Sequence, residues 1–200
     1  MKGKKVLFTV FCILLCVSIG TVVSAAEKKV IGFIPMTMNN EYFVTMVNAA
    51  KIEAEKQGVD LLVQAGERHG SADEQLRIIE DMITREVDAI CVVPSSSTCL
   101  ISAIKKAQKA GIPVVNLDTR IDPAAVKEAG LKPVPYIGTN NYDGAKMGGQ
   151  YALDNLKIDG LEVAILTGIS GQQNAADRRN GFVDATKGKV KVVAEQTANW

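Results

Sequence analysis

From Val30 onward, short apolar runs alternate with stretches whose apolar residues recur every three or four positions. VIGFIP, Val30 to Pro35, has no polar alternation and carries β-branched residues, which predicts a strand buried on both faces. Phe43, Met46, Val47, Ala50 and Ala54 then fall on one helical face, predicting a helix from about Glu41 to Gln57 that Gly58 stops. Val59 to Ala65 reads as the second strand. Ser71 and Glu74 form an S-x-x-E capping box, opening a helix through Arg85 with Leu76, Ile79 and Ile83 inward. Ala89 to Val93 is the third strand. A third helix carries Leu100, Ile101, Ile104 and Ala107 and ends at Gly111, and Val114 to Leu117 is the fourth strand. Parallel strands need helical crossovers, so this alternation predicts an α/β fold with a parallel, doubly wound sheet.

Residues 121–135 interrupt the rhythm with three prolines and lead to a strand at Tyr136 to Gly138. A helix from about Tyr142 to Leu156, a strand Glu162 to Leu166 and the loop TGISGQQN follow. A helix from about Ala175 to Thr186 and a strand Lys191 to Glu195 complete the pattern. The expected division is one α/β unit over residues 27–137 and a second, incomplete unit over residues 138–200. With its second unit half built, the chain is expected to be the N-terminal part of a longer protein. Expressed alone, it is expected to be poorly soluble or partly unfolded and to bind no ligand tightly, because an open sheet edge and an uncovered apolar face are aggregation hazards.

Residues 1–26 stand apart. Lys2, Lys4 and Lys5 precede the apolar run VLFTVFCILLCVSIGTVV, and the small residues Ser24, Ala25 and Ala26 follow. These are the three parts of a cleaved signal peptide, with a retained membrane anchor as the alternative. Leu15 before Cys16 argues against lipidation there. The protein is expected to be exported.

Charge removes another class. A formal net charge of +1 falls to −2 once Lys2, Lys4 and Lys5 are gone. No basic surplus remains for phosphates, so no nucleic-acid partner is expected. One histidine, His69, leaves no second imidazole for a two-histidine metal site, and reads as a surface residue. No cofactor or metal is expected. After cleavage only Cys91 and Cys99 remain, and Cys91, inside the run AICVV, reads as a buried thiol rather than half of a bridge.

Open parallel sheets bind ligands beyond the carboxyl ends of their strands. Those ends carry Asn39, Asn40, Tyr42 and Phe43 after the first strand, and Asp118, Thr119 and Arg120 after the fourth. The loop after Leu166 leads to Asp177, Arg178 and Arg179. Amides, a carboxylate, guanidinium groups and flat aromatic faces together suit a sugar. Each residue also has a plainer role: Asn39 and Asn40 as helix caps, Phe43 as core, Asp118 and Arg120 as a surface turn, Arg178 and Arg179 as solvated charges. No G-x-G-x-x-G follows a strand, and neither G-x-x-x-x-G-K-[ST] nor G-x-S-x-G occurs, so an enzyme is poorly supported and an exported sugar-modifying enzyme is the last alternative.

MNNEYF, GIPVVNLDTRID, IGTNNYDGAKMGG and NAADRRNGF appear in an order that resembles the periplasmic sugar-binding proteins of the ribose/allose group, receptors of ABC-type importers. The resemblance runs from about Val30 to Trp200. It implies two Rossmann-like doubly wound domains joined by a hinge and closing on one sugar. It implies that Asn40 bonds sugar hydroxyls, that Tyr42 and Phe43 pack on the ring with Trp200 facing them, that Asp118 accepts from two hydroxyls, and that Arg178 donates from the second domain. Arg120 completes the implied set, displaced one step from the family pattern by Thr119. Val93 replaces a sugar-contacting asparagine and Glu41 a usual proline, which argues against ribose itself.

The implied role is a non-enzymatic periplasmic receptor, monomeric at full length, delivering a monosaccharide or polyol to membrane permease subunits. A sugar sensor serving a chemoreceptor or sensor kinase is the alternative. A transcription repressor of similar fold would need a basic helix-turn-helix where the apolar segment stands.

Overall fold

The computed structural model describes residues 28–198 apart from His69, so the expected signal peptide, His69 and Trp200 lie outside the described residues. Five strands, β1 (Val30–Ile34), β2 (Asp60–Val63), β3 (Ala89–Val92), β4 (Val114–Leu117) and β5 (Tyr136–Ile137), form one parallel sheet in the order β2-β1-β3-β4-β5. Helices α1 (Glu41–Gln57), α2 (Ala72–Thr84), α3 (Ile101–Lys109) and α4 (Pro123–Glu128) make the crossovers. The second unit holds α5 (Asn141–Leu156), β6 (Glu162–Thr167), α6 (Gln173–Thr186) and β7 (Lys191–Thr197), with β6 and β7 paired in parallel. The α/β reading holds throughout.

The apolar runs of the first sheet are buried as their composition requires. Ile34, Ile90 and Val92 are fully enclosed, with Ile79 and Met82 of α2, Leu100 just before α3 and Ile104 within it in the same cluster. Close contact at one point depends on a missing side chain: a Cβ on Gly32 would stand 2.9 Å from the Met82 sulfur. Helix α1 ends as the sequence predicts, with Gly58 at φ 66° and its N–H bonded back to Ala54 and Glu55.

One local expectation is corrected. The capping box does not form: Ser71 precedes α2 but accepts no capping bond, and Glu74 instead accepts the backbone N–H of Glu67 at 2.8 Å. The protein–backbone bond draws the carboxylate toward the preceding loop and lowers its pKa. The stretch where three prolines break the rhythm holds a short helix that the sequence reading did not mention, with Asp122 capping α4 through the Ala124 N–H at 2.8 Å and Pro123 in its first turn. Cys91 and Cys99 are both free, and burial raises the Cys91 thiol pKa.

Strand order reverses between β1 and β3, each paired with the other while β2 lies beyond β1 and β4 beyond β3. The loops leaving the carboxyl ends of β1, β3 and β4 therefore surround the place where such sheets take ligands.

Candidate functional site

The loop after β1 runs into α1 through Asn40, whose extended backbone and side-chain acceptance from the Tyr42 N–H at 2.9 Å make it the helix cap. Capping commits the Asn40 Oδ1 and leaves the residue at the edge of the cleft. Asn39 turns away, donating to the Glu67 carbonyl at 2.6 Å. Tyr42 stands half exposed with its ring edge-on to Phe43, centroids 5.2 Å apart at 72°. Phe43 is buried against Met36 and Val93, so it serves the core and the cleft wall together.

Beyond β4, the buried amide of Asn116 clasps the next turn, donating to the Thr119 carbonyl at 2.8 Å and accepting the Ile121 N–H at 2.8 Å. Inside that clasp Asp118 adopts φ 55°, the left-handed region that few residues other than Gly, Asn and Asp enter. Its N–H donates to Ile137, and its carbonyl accepts the Tyr136 hydroxyl at 2.8 Å, so the main chain is fixed on both sides. Its carboxylate accepts the Tyr42 hydroxyl at 3.3 Å. Burial raises the Asp118 pKa, and the Tyr42 bond, the Arg178 charge and Thr119 offset that only in part. A partly buried carboxylate with long bonds to its neighbours is a strong acceptor for incoming hydroxyls.

Arg120 is not part of this arrangement. The clasp buries Thr119 completely and turns Arg120 outward, its guanidinium 5.2 Å above the Tyr136 ring. There it lines a separate cavity of about 410 Å³, walled mainly by aliphatic side chains such as Ile121, Val126, Leu131 and Val134. With Thr119 between it and Asp118, Arg120 thus keeps its side chain outside the candidate cleft.

The second unit closes the other side. Arg178 of α6 donates to the Asn141 Oδ1 at 2.7 Å, and Asn141 in turn donates to the Thr139 carbonyl at 3.0 Å. Arg179 has a different task, a two-pronged bond to Glu195 on β7 with Nη2 to Oε2 at 2.8 Å. The bond raises the Arg179 pKa and lowers that of Glu195. Together Asn40, Tyr42, Phe43, Asp118 and Arg178 line one cavity of about 280 Å³. Thr139, Asn141, Gln172 and Asn174 also line it, and the sequence reading did not single them out. Two signals pointed to them: TNN begins the crossing into the second unit, and QQN begins α6, both at strand carboxyl ends. The cavity's size sits at the lower limit for small-molecule sites, and its convergent amides, carboxylate and guanidinium beside an aromatic face suit a polyhydroxylated ligand. Among the described residues, no group of three His, Cys, Asp or Glu side chains is placed to hold a metal ion.

Comparison with known proteins agrees with this architecture. Residues 31–200 match the model of the periplasmic binding protein domain. The D-ribose/D-allose-binding protein of Pseudomonas aeruginosa is 37% identical over 177 residues, which are 87% of this chain and 55% of that protein. The D-allose-binding periplasmic protein of Escherichia coli is 34% identical over 179 residues, 88% of this chain and 57% of that protein. An ABC transporter solute-binding protein from Actinobacillus succinogenes, solved with bound D-allose, superposes with a TM-score of 0.80 at 38% identity, over 86% of this chain and 60% of that one. A counterpart from Burkholderia multivorans gives 0.82 at 39% identity, over 88% and 62%. The chain spans little more than half the length of the curated relatives it matches. With the family match covering nearly all the described residues, the chain belongs to the periplasmic binding protein domain family.

Proposed function

We propose that this chain forms the first lobe and part of the second lobe of a periplasmic receptor that captures a monosaccharide or related polyol for an ABC-type importer. The carrying observation is Asp118: a carboxylate held by a fixed, left-handed backbone, raised in pKa by burial and facing Arg178 across one small cavity. Such a group gains most from ligand hydroxyls, which donate to it without adding charge. Relatives described as binding D-allose and D-ribose support a sugar of that class. Descriptions naming ABC transporters support transport over the sensing alternative. Asn40, Tyr42, Phe43, Asp118 and Arg178 are the proposed ligand residues, with no catalytic step, and residues 1–26 are proposed as the export signal.

Calorimetry on the protein as encoded, with D-allose, D-ribose and D-glucose, tests the reading. Binding of one aldose that Asp118→Ala abolishes, with the fold left intact, is the expected result. An Asp118→Ala protein with undiminished affinity overturns it. Arg178→Lys should weaken binding sharply, since an ammonium lacks the planar two-donor fork.

A further inference from the structure

We infer that Ser97 caps helix α6 from the other structural unit and, with Gln172, acts as a positioning residue that keeps the two sides of the cleft in register. Helix α6 begins without a cap of its own, for Gln172 precedes it with extended backbone and no side-chain capping bond. The first N–H groups of a helix need an acceptor. The Gln173 N–H finds one in the Ser97 Oγ at 2.9 Å, a residue 76 positions earlier in the chain.

Ser97 is nearly buried and ties three segments together. Its N–H donates to the Gly171 carbonyl at 2.9 Å, and its own carbonyl accepts the Asp122 N–H at 2.8 Å. Gln172, equally buried, adds a second tie through Nε2 to the Ser95 carbonyl at 3.0 Å. Ser95 is anchored in turn, its N–H donating to the Oε1 of Gln75, whose Nε2 donates to the Val93 carbonyl at 2.7 Å. Gln75 is wholly buried on α2. A continuous polar path thus leads from the core of the first unit to the first turn of α6.

Helix α6 carries Asn174 and Arg178, which face Asp118 and Tyr42 across the cavity. A shift at the start of α6 moves both donors relative to the carboxylate. Losing the Ser97 hydroxyl therefore lowers the fraction of molecules whose walls match the ligand, and apparent affinity falls by that fraction. This consequence for binding rests on the sugar-receptor reading; the capping contact itself does not.

The test uses the encoded protein, its Ser97→Ala, Ser97→Thr and Gln172→Met variants, and two measurements. Amide exchange at Gln173 without sugar reads the cap directly. Calorimetry with D-allose and D-ribose reads its effect on binding. Ser97→Ala should expose the Gln173 amide and weaken the dissociation constant about tenfold, with melting temperature nearly unchanged. Ser97→Thr, which keeps a hydroxyl, should restore both, and Gln172→Met should weaken binding about threefold. A Gln173 amide that stays protected in Ser97→Ala, or equal affinity in the Ala and Thr variants, overturns the inference. Should Ser97→Ala fail to fold, an undiminished affinity in Gln172→Met overturns it equally. If neither sugar binds the unmodified protein while Ser97→Ala still exposes Gln173, the cap stands and the sugar reading falls.

Discussion

The two sheets are built from similar sequence and end in different surroundings. β3 reads AICV and β6 reads EVAILT, both apolar runs typical of buried parallel strands. Yet Ile90 is fully buried in the first sheet, whereas Leu166 in the second is 72% exposed, with Val192 and Val193 of β7 also open. Exposure in β6 alternates residue by residue, with α6 packed against the strand and α5 packed against α6. An apolar run announces a strand, but only the layers around it decide how much stability that strand supplies.

Truncation separates the two cases most widely. Ile90→Ala should cost about 2–5 kcal/mol through lost burial and the cavity it leaves. In the 200-residue chain, Leu166→Ala should stay within about 0.5 kcal/mol. Chemical denaturation of both variants measures the contrast, and equal losses would show that the β6 face is covered in solution.

Gly181→Ala probes what holds the second unit together. Its Cβ would stand 2.1 Å from the Tyr142 carbonyl oxygen on α5, a backbone atom unable to rotate aside. A loss of about 1–3 kcal/mol or more is expected, confined to the second unit. Hydrogen exchange should show α5 and α6 opening while β1 and β3 amides stay protected. Parallel loss in β1 and β3 would mean that the two units unfold as one.

A smaller effect comes from the carboxylate between them. Because burial raises the pKa of Asp118, the folded protein holds that proton more tightly than the unfolded chain. The stability this contributes is present below the ordinary carboxylate pKa and is lost as pH rises through the raised value. Asp118→Asn should therefore raise the melting temperature slightly at neutral pH and leave it unchanged in strong acid, where both forms are neutral. Asparagine also accepts the left-handed backbone. Sugar affinity should fall as pH drops through the raised value, since hydroxyl donors favour the charged form. A neutral-pH melting temperature no higher in Asp118→Asn would show that burial does not strain the carboxylate.

Periodicity made most of this legible. Helix α1, its glycine stop and the strands at Val30, Ala89 and Val114 lie within a residue or two of their expected places. What stayed hidden depended on contacts distant in sequence. Asp122-Pro123 is a good helix opening, but the three prolines around it masked a helix of only six residues. The Ser71 box failed because the Glu67 N–H offered Glu74 a better-placed donor. Arg178 and Arg179 are neighbours in sequence, and only the fold sends one into the cleft and the other to Glu195. Asn116 looked like part of an ordinary strand, since its partners, Thr119 and Ile121, become partners only once the turn has closed.

The Asn116 clasp also fixes when the cost of order is met. Between its two hydrogen bonds, the segment holding Asp118 is a closed ring, pinned further by Tyr136 and Ile137. Its conformational entropy is surrendered during folding, so a ligand meeting the carboxylate finds a preorganised acceptor and loses little affinity to loop ordering. An asparagine outside the candidate cavity thereby sets the geometry of the proposed ligand carboxylate through the disorder it has already removed.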